Sequence, residues 1–432
     1  MKIGLLHFRV GETDGVSLEM DKWKVVLERL GHEVIYIAGE LNELAGVEIP
    51  SLSMKNETNL WIHTNGFEKP STDEKNFIRT FEEYVEQIYT ELEESVPPID
   101  LLVVNNVLSL GFNLAAAVAV TRYAKRKRIK LLGHHHDFYW ERERYSKPQS
   151  KFVQEILSNY FPPKGDNIFH ITINTLAKRE LLQRKAIEST VVPNVFDFDQ
   201  PAWVIDDYNR DLREKLSVGE DDLVILHGTR IVERKAIEMA MDFVEEFKKV
   251  EDRTVHFVVA GFAEKESLGY YERLLKKAQQ MSFKTHFAHQ MVRQSRYLDD
   301  RKYYSLWDMY AIADAVTYTS LLEGWGNQLI EAVFARKPLV VFEYPVYKSD
   351  IASLGFDFIS LSDRATYNEE KALYEVENVL LEKAASELKM LLSNKRLLQE
   401  KVQHNFEIGK KYLSLQSLQE KVKEVLIKAA SS

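Results

Sequence analysis

Short apolar runs alternate with longer amphipathic stretches over most of the chain. "KIGLLHF" (2–8) precedes "SLEMDKWKVVLERLG" (17–31), where Leu18, Trp23, Val26 and Leu30 recur at helical spacing and Gly31 stands where a C-terminal cap belongs. "HEVIYIAG" (32–39) then reads as a second strand, which makes a β-α-β unit. Further strands are predicted at "DLLVVNN" (100–106), "KLLGHHH" (130–136), "FHITIN" (169–174) and "STVVPN" (189–194), with a helix between successive strands. This alternation predicts an open parallel sheet.

The same alternation restarts after residue 200. "DDLVILHGTR" (221–230), "VHFVVAGF" (255–262), "KTHFAHQ" (284–290), "DAVTYTS" (314–320) and "PLVVFEY" (338–344) read as strands, with helices over 235–250, 270–281 and from about Asn327 onward. The join lies near "VVPNVFDFDQPAWV" (191–204), where Pro193 and Pro201 interrupt the pattern. The last segment is helical by pattern, with a break around Gly409 and Ser414. The fold class expected is α/β, with two tandem doubly wound parallel-sheet domains. The first covers residues 1–198, the second 199–405, and a helix over 406–432 returns to the first. A length of 432 residues agrees, because a single hydrophobic core stops growing at about 250–300 residues.

Composition narrows the function classes. Hydrophobic residues make up 45% and no long uncharged apolar run occurs, so a spanning helix is not predicted. "MKIGLLHFRV" breaks to Arg9 and then to acidic residues, so no signal peptide is read and a cytoplasmic protein is expected. There is no cysteine, which removes disulfides, thiolate nucleophiles and Cys-ligated zinc together. With 57 basic against 66 acidic residues the net charge is −9, so nucleic acid is not an expected partner.

Open parallel sheets bind ligands outside the carboxyl ends of their strands, so the residues just after each strand carry the chemistry. In "HGTRIVERKAIEMA", Arg230 ends a strand and Lys235 follows at the start of a helix. Both cations can converge on one anion such as a diphosphate, helped by the N–H groups and dipole of the helix. The alternative is a solvated loop rim of Arg230, Arg234 and Lys235. In "LLEGWGNQLIEA" (321–332), Glu323 sits in the loop at a strand exit, and Gly324 and Gly326 allow close backbone approach to a phosphate. The N–H groups near Asn327 and Gln328 are unspent at the helix start. Glu331 lies one turn on and leans back over the loop, opposite a buried stripe of Leu329, Ile330, Val333 and Phe334. Two carboxylates so placed suit paired sugar or ribose hydroxyls.

On these residues the chain resembles the retaining glycosyltransferases of family 4, whose GT-B fold has two Rossmann-like domains facing across a cleft. Glu323 to Glu331 is similar to the family's E-x7-E motif, Arg230 and Lys235 to its R-x4-K element, and "VVPNVFDFD" to its inter-domain segment. The resemblance implies a nucleotide-diphosphate sugar as donor, with Arg230 and Lys235 on the diphosphate, Glu323 on the sugar and Glu331 on the ribose. It also implies front-face attack by an acceptor hydroxyl, with the departing phosphate taking the proton. Two positions depart from the pattern: Ala236 and Val195 stand where the family commonly has glycine.

In "KLLGHHHDFYWERERY", His134 and His136 share one strand face and His135 takes the other, a poor arrangement for a metal. The resemblance places a histidine near the transferred sugar at the end of this strand. His136 before Asp137 is the match and His134 the alternate; a packed or capping histidine is the other reading. Asp137, Phe138, Tyr139 and Trp140 are then expected on the acceptor side, where the acceptor is a sugar, glycoside or lipid. Gly15, in "ETDGVS", could close on the phosphates. The D-x-D of Asp197 and Asp199 reads as incidental, so neither a metal nor another cofactor is expected. "RYAKRKRIK" (122–130) could meet acidic lipid, although a solvated helix end fits better. A retaining disaccharide phosphorylase, an NDP-sugar epimerase and a non-catalytic sugar-binding module stay as alternatives. An NAD-dependent oxidoreductase is disfavoured because neither first loop has G-x-G-x-x-G. The sequence leaves open the base, the sugar, the acceptor and the oligomeric state.

Overall fold

The computed structural model describes residues 1–12, 15–293, 296–298 and 301–431. It divides into two compact units, Met1–Val195 with Leu415–Ser432, and Phe196–Ser414. The first unit holds β1 (Lys2–His7), β2 (Glu33–Ala38), β3 (Gly46–Glu48), β4 (Leu101–Asn105), β5 (Lys130–His135), β6 (Ile168–Thr172) and β7 (Thr190–Val191). They form one parallel sheet in the order β3-β2-β1-β4-β5-β6-β7. Alternation along each strand feeds two cores. Leu6, Leu102, Val104 and Leu131 enter one, while Ile3, Leu5, Leu101, Val103 and Leu132 enter the other. Gly31 closes the first helix (Gly15–Arg29) as its sequence indicates: it takes φ +80°, and the His32 N–H reaches back to Leu27 O at 3.1 Å.

The second unit holds β8 (Leu223–His227), β9 (Val255–Val259), β10 (Lys284–Phe287), the short antiparallel pair β11 (Tyr297–Leu298) and β12 (Arg301–Lys302), then β13 (Ala315–Tyr318), β14 (Leu339–Val341) and β15 (Ile359–Ser360). Its main sheet is parallel, in the order β10-β9-β8-β13-β14-β15. Strand order reverses beside β1 in the first unit and beside β8 in the second, and at such a reversal diverging loops leave room for a ligand.

Two boundaries differ from the sequence reading. The first unit ends at Val195, and the chain re-enters it at Leu415 instead of at 406. The helix Lys395–Tyr412 belongs whole to the second unit, because Gly409 is a close-packing point and not a break. A Cβ there would meet Phe198 Cζ at 2.6 Å and Val333 Cγ1 at 2.9 Å. The actual break is at Leu413 and Ser414, after which the helix Leu415–Ser431 packs Leu418, Val422 and Val425 into the core that holds Met20 and Trp23. Most of the basic run is engaged within the first unit, while Lys125 and Arg128 are exposed. Arg122 pairs with Glu82 at 2.9 Å, Lys127 with Glu93 at 2.7 Å, Arg126 lies over the Tyr89 ring, and Lys130 donates to Ala429 O. Among the described residues no helix is long and apolar enough to cross a membrane.

Candidate active site

In the second unit, the loops after β8 and β13 leave the sheet at its reversal and lock onto each other. Leu321 N–H donates to Arg234 O at 2.8 Å, and Thr319 Oγ1 donates to Lys235 O and Ala236 O at 3.1 and 2.9 Å. This brings Glu323 onto two cations. Lys235 Nζ donates to Glu323 Oε1, and Arg234 Nη1 to Glu323 Oε2 at 2.9 Å. The Glu323 and Lys235 side chains are each only 10% exposed, so their charges act through a poorly screened medium. Burial alone would raise the Glu323 carboxyl, but Lys235 and Arg234 overturn it and hold the group at about 2. Burial pulls the Lys235 ammonium below the usual lysine range in spite of Glu323.

Arg230 and Lys235 were expected to converge on one anion, yet Arg230 pairs with Glu264 and its side chain stays half-exposed. Arg234 takes the place beside Lys235. The reason is local geometry: Glu233–Lys235 forms a 3-10 turn ahead of the helix Ile237–Val250, which carries Arg234 and Lys235 together toward β13. Ala236, the departure from glycine, adopts φ +42° and ψ 51°, so the backbone keeps the left-handed turn that glycine makes easily. Val195, the other departure, is buried; its carbonyl accepts from Lys22 Nζ.

The helix Asn327–Phe334 begins where the sequence places it, and Leu329, Ile330, Val333 and Phe334 are buried. Gly326 caps it with φ +153°. A Cβ on Gly326 would sit 2.3 Å from Tyr344 Oη, which donates to Trp325 O at 2.5 Å. Gly326→Ala is therefore expected to destabilise the protein by roughly 2–4 kcal/mol and to weaken nucleotide binding, by displacing the helix start. Thermal melting of Gly326→Ala beside Gly326→Ala/Tyr344→Phe checks this. The double variant should recover part of the loss, and strict additivity would show that the clash is not the cause.

Glu331 accepts from Tyr310 Oη at 3.1 Å, a partner that the motif alone does not announce. Gln328 is 6% exposed, and neither atom of its side-chain amide has a partner among the described residues. The amide lies against Gly228, where a Cβ would come within 2.9 Å of Nε2. Gly324 lies in the β13 loop, half-buried between Glu323 and Trp325.

In the first unit the histidine triplet splits as the strand period requires. His134 and His136 share a face with ring centroids 4.2 Å apart, and His134 packs on Trp23. His135 points the other way and pairs through Nε2 with His170 Nδ1 at 3.0 Å. Asn106, in the left-handed region at φ +57°, accepts the His136 N–H at 2.8 Å and so fixes the turn that follows β5. Burial lowers His134 and His135 well below the usual imidazole range.

The expected aromatic acceptor platform is not open. Phe138 is fully buried, Trp140 stacks on it at 4.3 Å, Arg184 lies over the Trp140 ring, and the indole N–H donates to Glu180 at 2.7 Å. Tyr139 packs against Phe161 at the edge of the core. These rings are consumed because the turn after β5 folds back onto the helix Thr175–Lys185. Asp137 pairs with Arg142 at 2.9 Å. Gly15 is exposed at the start of its helix, and Thr13 and Asp14 of the same loop lie outside the described residues. In the D-x-D, Asp197 accepts from the Asp199 N–H at 3.0 Å and Asp199 pairs with Lys410 at 2.8 Å.

Residues 209–355, which carry every residue expected on the donor side except Gly15, match the family described as Glycosyl transferases group 1. Mannosylglucosylglycerate synthase of Petrotoga mobilis is 43% identical over 91% of this chain and 93% of its own. The chain belongs to the group 1 glycosyltransferases. The enzyme of the same name from Thermotoga maritima is 38% identical over 97% of this chain and 98% of its own. A solved glycosyltransferase of Rickettsia africae superposes with TM-score 0.64 at 13% identity, over 99% of this chain and 98% of its own. The two parallel-sheet α/β domains of this glycosyltransferase are those of the GT-B fold.

Proposed function

We propose that this glycosyltransferase moves a mannosyl group, with retention, from a nucleoside-diphosphate mannose to a hydroxyl of glucosylglycerate. The sugar and acceptor are carried over from the names of its two relatives. The observation that supports the donor class is the Lys235–Glu323–Arg234 cluster at the start of two helices, with Lys235 and Glu323 nearly buried and Arg234 partly exposed, where a diphosphate can compete with Glu323 for the cations. In the step, the bond from mannose C1 to the β-phosphate oxygen breaks and a bond to the acceptor oxygen forms on the same face. The acceptor proton passes to the departing phosphate. Lys235, Arg234 and the N–H groups ahead of Asn327 stabilise the charge that grows on that phosphate, and Arg230 joins them by exchanging Glu264 for the diphosphate. Glu323 holds the sugar hydroxyls, Glu331 the ribose, and His136 is assigned to the transferred sugar.

Incubating the protein with nucleoside-diphosphate mannoses and glucosylglycerate, and reading the anomeric configuration of the product by NMR, tests the proposal. An inverted product removes retention. Turnover that needs inorganic phosphate and a disaccharide instead points to a phosphorylase.

Glu331→Ala should weaken nucleoside diphosphate binding about tenfold, because one charge-assisted pair to the ribose is lost. Titration calorimetry checks this, and unchanged affinity would take Glu331 out of the site. The cations are also proposed to stand in for a metal, so turnover should persist in EDTA. A loss restored by Mg²⁺ would contradict that.

A further inference from the structure

If the acceptor ends in glycerate, as the proposed function has it, the protein must recognise a carboxylate. In the first unit the loops beyond the carboxyl ends of β4 and β5 bring two guanidinium groups to one aromatic platform. Arg142 lies over Phe112 with its centre 5.7 Å from the ring, Arg144 lies 6.0 Å from Tyr145, and the two rings meet edge to face at 5.7 Å. The platform is fixed from below. Tyr145 is 4% exposed and packs on Phe67 and His63. Gly111 lies so close that a Cβ there would come within 2.8 Å of Tyr145 Cδ1.

His63 orients Arg144. Its ring is buried, and Nδ1 stands 3.4 Å from Arg144 Nη2. Burial, reinforced by the Arg144 charge, lowers His63 to about 4. The ring is therefore neutral at pH 7, and in the Nε2–H tautomer Nδ1 accepts from the guanidinium; Nδ1 also stands 3.5 Å from Glu68 Oε1. Arg144 also donates to Glu68 Oε1 at 2.6 Å, while 59% of its side chain remains exposed. The guanidinium is thus held in one place with donors left over, which is how an arginine recognises a planar carboxylate.

We propose that Arg144, seconded by Arg142, binds the glycerate carboxylate of the acceptor, and that Glu68 competes with it for the same guanidinium. The competition gives the proposal a sign. Arg144→Met should raise the acceptor KM at least about tenfold, the size expected for a lost charge-assisted pair. Glu68→Gln should lower it, whereas an ion pair with a merely structural role would give no gain.

The test measures KM for glucosylglycerate and for its neutral counterpart glucosylglycerol in the wild type, Arg144→Met, Arg142→Met/Arg144→Met, Glu68→Gln and the same-loop control Lys147→Met. A preference for the carboxylate that collapses in the arginine variants and sharpens in Glu68→Gln supports the subsite. A preference that survives the double variant overturns it. If the wild type uses neither acceptor, the proposed function fails on its own, and saturation-transfer NMR with glycerate alone still reads the subsite. A wild-type signal that the double variant loses supports it; an equal or absent signal overturns it.

Discussion

Lys235→Met is expected to lower kcat on the order of a thousandfold, the range seen when a preorganised group facing developing charge is removed. The methionine keeps most of the side-chain volume, so the loss is one of charge. It falls on a site with little solvent to replace it, because Lys235 and Glu323 are both nearly buried. Donor affinity should fall less than turnover if the ammonium serves the departing phosphate more than the bound one.

A second effect is built in. With Lys235 gone, Arg234 alone faces Glu323, whose carboxyl should rise from about 2. A carboxyl held below its ordinary value of 4.5 contributes stability that is present above that value and lost as pH falls toward the folded value. Raising the folded value therefore shrinks the contribution and begins its loss at a higher pH. Single-turnover kinetics, calorimetry with the nucleoside diphosphate and acid melting curves separate the two effects. Turnover within tenfold of wild type would remove Lys235 from the departing phosphate.

The loop and helix start that carry the proposed donor residues were legible because their determinants are local. Glu323, Gly326, Glu331 and the helix start lie within nine residues, and strand-loop-helix rules fix where each one points. Arg234 was not, since its partner lies 89 residues away and its geometry depends on a 3-10 turn without a distinct sequence signal. Tyr310 was missed for the same reason: it stands 21 residues before Glu331 and reads in sequence as one more core aromatic. The platform of Phe138, Tyr139 and Trp140 failed differently. Sequence gives the identity of an aromatic ring but not the partner for its face, and here Phe138 and Trp140 cover each other. The doubly wound sheets were readable from alternation, whereas β3 and β15, with three and two residues, were not.

Acidification from pH 7 to 5.5 is expected to destabilise the first domain more than the second. In the first domain, burial lowers His63 and His170 to about 4, and His134 and His135 fall well below the ordinary 6.5. In the second domain, burial takes His227 to about 3 and His286 to about 4, and lowers His256 despite Asp222. The packing requires neutral rings. His135 and His170 share one proton across 3.0 Å, and among the described residues His134 has no partner on either nitrogen to steady a charge. The sign follows from proton counting. Below 6.5 the unfolded chain binds protons that the native rings refuse, so stability is full above that value and falls as pH drops from 6.5 toward 4. Each such ring costs about 1.4 kcal/mol per pH unit once both states are well inside the window. The first domain holds more such rings than the second, and four of them are buried, so its loss is the steeper. Scanning calorimetry at several pH values should resolve two transitions that separate on acidification, the lower moving faster, and His135→Phe should reduce that faster shift. Transitions that move together, or an unaltered slope in His135→Phe, would show that these rings are not neutral in the native state.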